Sequence, residues 1–167
     1  MDEWHNKNDL VWNENPPPMN PDFAKKWFLR CQDLVDKYHP DVLYFDNTEL
    51  PLGQVGLDIV AHFYNSNLKR NKGKLEAVVN GKHMKPEHTT AVVEDIERGV
   101  ATGIRPHPWQ TDTCIGSWHY SRAIAEQNKY KTVGQVVDML IDIVSKNGNL
   151  MLSVPVRGDG TIDEHEV

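Results

Sequence analysis

The 167-residue sequence predicts an α/β fold built on a parallel sheet. Three observations lead there. Apolar runs of strand length, the first being Val42-Leu43-Tyr44-Phe45, alternate along the chain with longer segments of helical period. That first run ends on a carboxylate, Asp46, followed by Asn47. Later strands also end on polar or ionisable residues, and in parallel α/β folds that edge of the sheet carries ligands and chemistry. A turn opened by Asp46 and Asn47 is the plainer reading of the same two residues, since both types favour turns.

Taken in order, residues 1–19 are polar and run into Pro16-Pro17-Pro18, which excludes helix and predicts an extended linker or loop. Asn20-Pro21 reads as an N-cap followed by proline in the first turn. Phe23, Trp27, Cys31, Leu34, Val35 and Tyr38 then recur at three- and four-residue spacing, one face of a helix that His39-Pro40 ends. A strand buried on both faces is expected at 42–46. A second helix is expected over 54–70, with Leu57, Val60, Ala61 and Tyr64 inward and a stop at Lys72-Gly73. Residues 75–80 form the next strand, with Gly81-Lys82-His83-Met84 as its loop, and Val92-Val93 a short one. Residues 109–116 lean to strand. Val133, Val136, Val137, Leu140, Ile141 and Val144 mark a helix stopped by Asn147-Gly148, and 150–154 form the last buried strand. Gly158-Asp159-Gly160 turns, and Asp163 caps the start of a further helix.

Composition excludes several classes. Twenty-four acidic against 18 basic residues, a net charge of −6 and a pI near 5.7 offer no electrostatic footprint for nucleic acid or an anionic membrane surface. No apolar run approaches the roughly 20 residues of a bilayer span. The start, Met1-Asp2-Glu3-Trp4-His5, has neither the basic flank nor the apolar stretch of a signal peptide, and compartment stays open. Two cysteines, Cys31 and Cys114, are too few for a disulfide framework and read as free and packed. No glycine-rich phosphate loop and no Gly-x-Ser-x-Gly elbow is present, and no cofactor is expected.

The residues that can carry chemistry are those at strand ends: Asp46, Asn80 with Lys82 and His83, Glu97, and Trp109. Two carboxylates, a cation and aromatics suit a neutral polar ligand such as a sugar. A carboxylate pair there divides labour, one ionised as nucleophile and the other protonated as general acid. Against this, Glu97-Arg98 reads equally as a surface ion pair, and Glu94 or Asp95 could hold the acid's place. A metal site from Asp46, His83, His88 and Glu97 is the rival, but no two of them share a compact ligand spacing, and none is expected.

Several stretches together resemble the α-L-fucosidases of glycoside hydrolase family 29. They are Val42-Leu43-Tyr44-Phe45-Asp46, Val78-Val79-Asn80-Gly81-Lys82, residues 109–120, residues 145–154 and the tail Arg157-Gly158-Asp159-Gly160-Thr161-Ile162. In that order they cover residues 20–163. The resemblance implies a partial (β/α)8-like (TIM) barrel, roughly its second half and the C-terminal portion of the catalytic domain, over 20–167. A full barrel takes about 250 residues. It implies retaining hydrolysis that releases terminal α-L-fucose from a fucosylated glycan or glycoside. Asp46 matches the nucleophile; Glu97, twelve residues before Trp109, is taken as acid/base, with Glu94 in reserve. Lys82 matches a cationic sugar contact and Trp118 an aromatic near the fucose methyl. Tyr44 and Trp109 complete the expected substrate contacts, although Tyr44 stands where the family often has Trp. Full-length members are often secreted, periplasmic or lysosomal. Half a barrel would expose two sheet edges and invite self-association, and the chain alone is expected to be inactive. The other readings are a retaining exo-glycosidase for a different sugar, and a barrel remnant that binds carbohydrate without cleaving it.

Overall fold

The computed structural model describes residues 20–46 and 52–167, so the linker expected at 1–19 and the turn residue Asn47 lie outside it. The described residues divide into two compact units, one drawn from residues 20–40 and 52–76 and the other from 41–46 and 77–167.

The first unit contributes two helices, α1 (Pro21–Tyr38) and α2 (Gln54–Arg70). The start of α1 is the one its sequence predicts. Asn20 accepts from the backbone N–H groups of Asp22 at 3.0 Å and Phe23 at 3.3 Å, and Pro21 opens the first turn. His39, at φ +50°, ends the helix in the left-handed conformation. Asp36 and His62 tie α1 to α2 at 2.7 Å. The buried faces are rotated from those expected. Ala24 and Val35 are the buried residues of α1, while Leu34 and Tyr38 are exposed. In α2 the buried set is Gly56, Ile59, Val60, Phe63 and Asn67, and Ala61 faces out. Asn67 is buried because its side chain replaces missing backbone partners, accepting from Glu76 N–H at 2.8 Å and Asn71 at 3.1 Å.

The second unit is a five-stranded parallel sheet: β1 (Val42–Phe45), β2 (Val78–Lys82), β3 (Val93–Asp95), β4 (Trp109–Cys114) and β5 (Gly148–Ser153). Spatial order follows chain order, β1-β2-β3-β4-β5, without the reversal of a doubly wound sheet. Stepwise parallel addition of that kind is how the sheet of a (β/α)8 barrel is built. Two further helices belong to this unit, a short α3 (Arg122–Glu126) and α4 (Val133–Ser145), with a 3₁₀ turn at Pro86–His88. Neither α3 nor the 3₁₀ turn was foreseen. A capping box opens α4: Thr132 accepts from Gln135 N–H at 3.3 Å, and Gln135 accepts from Thr132 N–H at 2.9 Å.

Several expectations need correction. β1 is not buried on both faces; Val42 is exposed and only Phe45 is buried. β2 begins at Val78 and runs through Lys82, so Gly81 and Lys82 belong to the strand and not to a loop. Pairing decides this, because Gly81 aligns with both Phe45 and Glu94, and Lys82 with Asp95. β5 starts at Gly148, earlier than its apolar residues indicate, and Met151 is exposed. No helix follows Asp163; its carboxylate instead receives Arg157 at 2.8 Å and His165 N–H at 3.0 Å.

One core of this unit lies on the α4 side of the sheet. Trp109 and Ile143 are fully buried with Ala101, and Ile96, Met139 and Leu150 pack against them. The Trp109 indole donates to Lys146 C=O at 2.9 Å. Gly148 is there because nothing larger fits: a Cβ would lie 2.6 Å from the Trp109 ring and 2.8 Å from Ile143.

Candidate functional site

Side chains alternate between the two faces of a strand, and in a parallel sheet residues in register share a face. The register aligns Lys82 with Asp95, Asp95 with Gln110, and Gln110 with Asn149. Phe45 aligns with Gly81, so the next residue, Asp46, arrives beside Lys82. β3 formally ends at Asp95, but its ladder continues: Ile96 N–H donates to Gln110 C=O at 2.9 Å and Arg98 N–H to Asp112 C=O at 2.8 Å. Glu97 therefore stands two residues past Asp95, on the same face. That face gathers Tyr44, Asp46, Asn80, Lys82, Asp95, Glu97, Gln110 and Asp112.

Lys82 is the hub. Its Nζ donates to Asp46 Oδ1 at 2.8 Å and Glu97 Oε2 at 2.9 Å, and lies 3.0 Å from Asp112 Oδ2. Burial opposes its charge, but the hydrogen bonds to Asp46, Glu97 and Asp112 outweigh that and hold its pKa above the ordinary lysine value. The three acids differ in access. The Asp46 side chain is 75% exposed and that of Glu97 47%, against 7% for Asp112. Since both outer oxygens touch one ammonium, they lie at most about 5.7 Å apart, the sum of the two distances.

Beneath the hub sits a polar layer that is nearly dry. Asp95 accepts from the Gln110 amide and, at 3.2 Å, from Asp112 N–H. Gln110 in turn accepts from Asn80 at 3.3 Å. Burial, then the hydrogen-bonded Asp112 carboxylate, pushes the Asp95 carboxyl up to about 6. Burial, with Asp95 and Asp112 close by, also raises the Tyr44 phenol above its usual range.

The structure brings together Tyr44, Asp46, Lys82 and Glu97 of the expected site residues. Trp118 is near but not on the hub: the Arg98 guanidinium stacks 4.8 Å over its ring, and Arg98 follows Glu97. Glu94 lies on the other face, paired with Arg105 at 2.6 Å. Trp109 is likewise on the far face, with no exposed surface. Asp95 and Asp112 are the site residues that sequence reasoning underused. Their signal was period-2 alternation, Asp95 with Glu97 and Gln110 with Asp112, inside stretches expected to be strand. Among the described residues no group of three or more His, Cys, Asp or Glu is arranged to hold a metal ion, and no helix is long and apolar enough to cross a membrane.

Comparison with known proteins gives these residues a context. The family described as Alpha-L-fucosidase matches residues 1–167. The fold is similar to that of a solved alpha-L-fucosidase, with 29% identity and a TM-score of 0.69, covering 89% of this chain and 33% of that one. It is also similar to the Thermotoga maritima alpha-fucosidase, at 30% identity and TM-score 0.67, covering 89% and 32%. The same enzyme in complex with fucose matches at 30% identity and TM-score 0.66, covering 90% and 32%. The chain thus spans about a third of the length of these structures. No curated protein matches.

Proposed function

We propose that this chain, which belongs to the alpha-L-fucosidase family, supplies the catalytic carboxylates of a retaining hydrolase that releases terminal α-L-fucose. One observation carries the reading: a single buried ammonium, Lys82, holds Asp46 and Glu97 at 2.8 Å and 2.9 Å. Two acids from different strands thereby face one gap. Their bound of about 5.7 Å is compatible with the roughly 5–5.5 Å separation of carboxyls in retaining enzymes. The solved relative in complex with fucose supports the sugar.

In this mechanism Asp46 attacks the anomeric carbon while Glu97 protonates the leaving oxygen; the glycosidic bond breaks as the Asp46–fucosyl ester forms. Glu97, now a carboxylate, takes a proton from water, and that water opens the ester to return Asp46 and free fucose. Lys82 aims Asp46 by donating to its Oδ1 at 2.8 Å. Entry of the sugar requires Glu97 to release the ammonium; the freed carboxylate takes up a proton from water, and that proton goes to the leaving oxygen. Lys82 then has a donor left for a sugar hydroxyl. Tyr44 lies two residues before Asp46 on the same face, and Trp118, stacked on Arg98, is assigned as an apolar contact to the sugar. Trp109 is assigned to the core because its indole reaches no solvent.

The reading includes a dependence on further barrel. β1 and β5 each have a single neighbour in the described sheet, which leaves two open edges. The isolated 167-residue chain is accordingly inactive and self-associates, which sedimentation at rising concentration and an assay on nitrophenyl α-L-fucoside will check. The catalytic test uses a full-length protein containing this chain. Asp46→Gly lowers kcat on that substrate by about 10⁴-fold or more, and azide restores turnover. Unchanged turnover in Asp46→Gly would overturn the reading.

A further inference from the structure

We propose that Asp112 is a positioning residue: its buried carboxylate fixes the Lys82 ammonium in the orientation that leaves its other two protons on Asp46 and Glu97. The inference deepens the glycosidase reading and rests on it for the word catalytic, but the geometry stands independently.

An ammonium has three protons, and Lys82 has three carboxylate neighbours, Asp46, Glu97 and Asp112, at 2.8, 2.9 and 3.0 Å. The outer two are open to water and must yield to a substrate. Only the Asp112 side chain, 7% exposed, is shielded from that exchange. It is therefore the contact that persists while the outer two come and go. Without it the ammonium would be held only by the groups it is supposed to aim.

Asp112 is itself held from behind. Its backbone C=O receives Arg98 N–H at 2.8 Å and its N–H donates to Asp95 at 3.2 Å. Its second oxygen, Oδ1, is buried, and among the described residues no amide, hydroxyl or cation donates to it. The Asp95 carboxyl faces Tyr44 from β1, Lys82 from β2, and Gln110 and Asp112 from β4. Burial, then the Asp112 carboxylate beside it, raises its pKa to about 6, so it gives up its proton less readily than a free carboxyl. A buried ion pair kept only for stability would not need its cation turned toward two exposed acids, and buried pairs are weak stabilisers in any case.

Two measurements test this. In a full-length protein containing this chain, lysine-selective ¹⁵N magnetic resonance shows the Lys82 ammonium in slow exchange with water; Asp112→Asn abolishes that signal and Asp46→Asn keeps it. A signal that survives Asp112→Asn overturns the proposal, and this arm involves no sugar. In a full-length protein, Asp112→Asn lowers kcat on nitrophenyl α-L-fucoside by about 100-fold with KM changed less than about threefold, as expected for a misplaced reacting group. Asp112→Glu keeps the charge and the fold but moves the ammonium by a methylene, and lowers kcat by about tenfold. Wild-type kcat in either variant overturns the proposal. A wild-type protein that leaves α-L-fucosides intact would instead sink the hydrolase reading, and the resonance arm would still decide Asp112.

Discussion

The two faces of β4 are held by opposite means. On one, Trp109 packs with Ile143, Ile96 and Leu150, and buried Thr111 donates to Ile96 C=O at 2.8 Å. On the other, Gln110 and Asp112 join Asp95, Lys82 and Asn80 in a network of hydrogen bonds and ion pairs. An apolar face fails in proportion to the volume removed, because the loss is contact area plus cavity. A polar buried face fails by whole charges, because removing one member strands the next. The first kind of face can be repacked, whereas the second specifies a geometry, and that is where the candidate chemistry lies.

The sharpest way to break this comparison is Lys82→Met. It strands buried Asp112 and is expected to cost about 3–5 kcal/mol of unfolding free energy, read from denaturant melts, and to remove activity as well. A cost below about 1 kcal/mol would mean that the network is solvated. Trp109→Ala should destabilise by a similar 3–5 kcal/mol or so through its cavity and the stranded Lys146 carbonyl, yet leave the slow-exchanging Lys82 ammonium signal intact. Loss of that signal would show that the two faces are coupled. Gly148→Ala forces a methyl onto Trp109 and Ile143 and should cost about 1–3 kcal/mol, with the same diagnostic.

Asp95 gives a pH test with a definite sign. Its folded pKa of about 6 lies above its unfolded value near 3.9, so the fold favours the protonated acid. That contribution is fully present below about pH 4 and lost as pH rises through 6. Compared with wild type, Asp95→Asn should therefore gain stability across that window, by at most about 2 kcal/mol after allowance for screening. A difference flat from pH 4 to 8 would show that Asp95 carries no raised pKa. The smallest effect is Thr132→Ala, which removes the α4 cap at a cost of about 1 kcal/mol and leaves both faces of β4 untouched.

Much of this was legible beforehand. The start of α1 was, because Asn20 and Pro21 act through local backbone geometry alone. So was Asp46 at a strand end, since an apolar run that stops at a carboxylate stops for a reason. The choice between Glu94 and Glu97 was partly legible. Strand alternation puts Asp95 and Glu97 on one side and Glu94 on the other, provided the strand's extent is known. Trp109 was expected as a sugar contact, but a tryptophan beside polar residues looks the same in sequence whether its face is inward or outward, and its ring is buried with Ile143. The inner face of α2 was misplaced for a related reason: Ile59 and Phe63 share the helix with Leu57 and Tyr64, and only the neighbours decide which pair is covered.

Read alone, the sequence determined the five strands and the three longer helices, though not all of their bounds, and that carboxylates stand at strand ends. These follow from period, caps and breakers, which are short-range. Only the tertiary structure decided that Lys82 lies inside β2 and that its ammonium joins Asp46, Glu97 and Asp112. Register between parallel strands depends on pairing partners tens of residues away, and a shift of one residue would turn every one of these side chains to the other face.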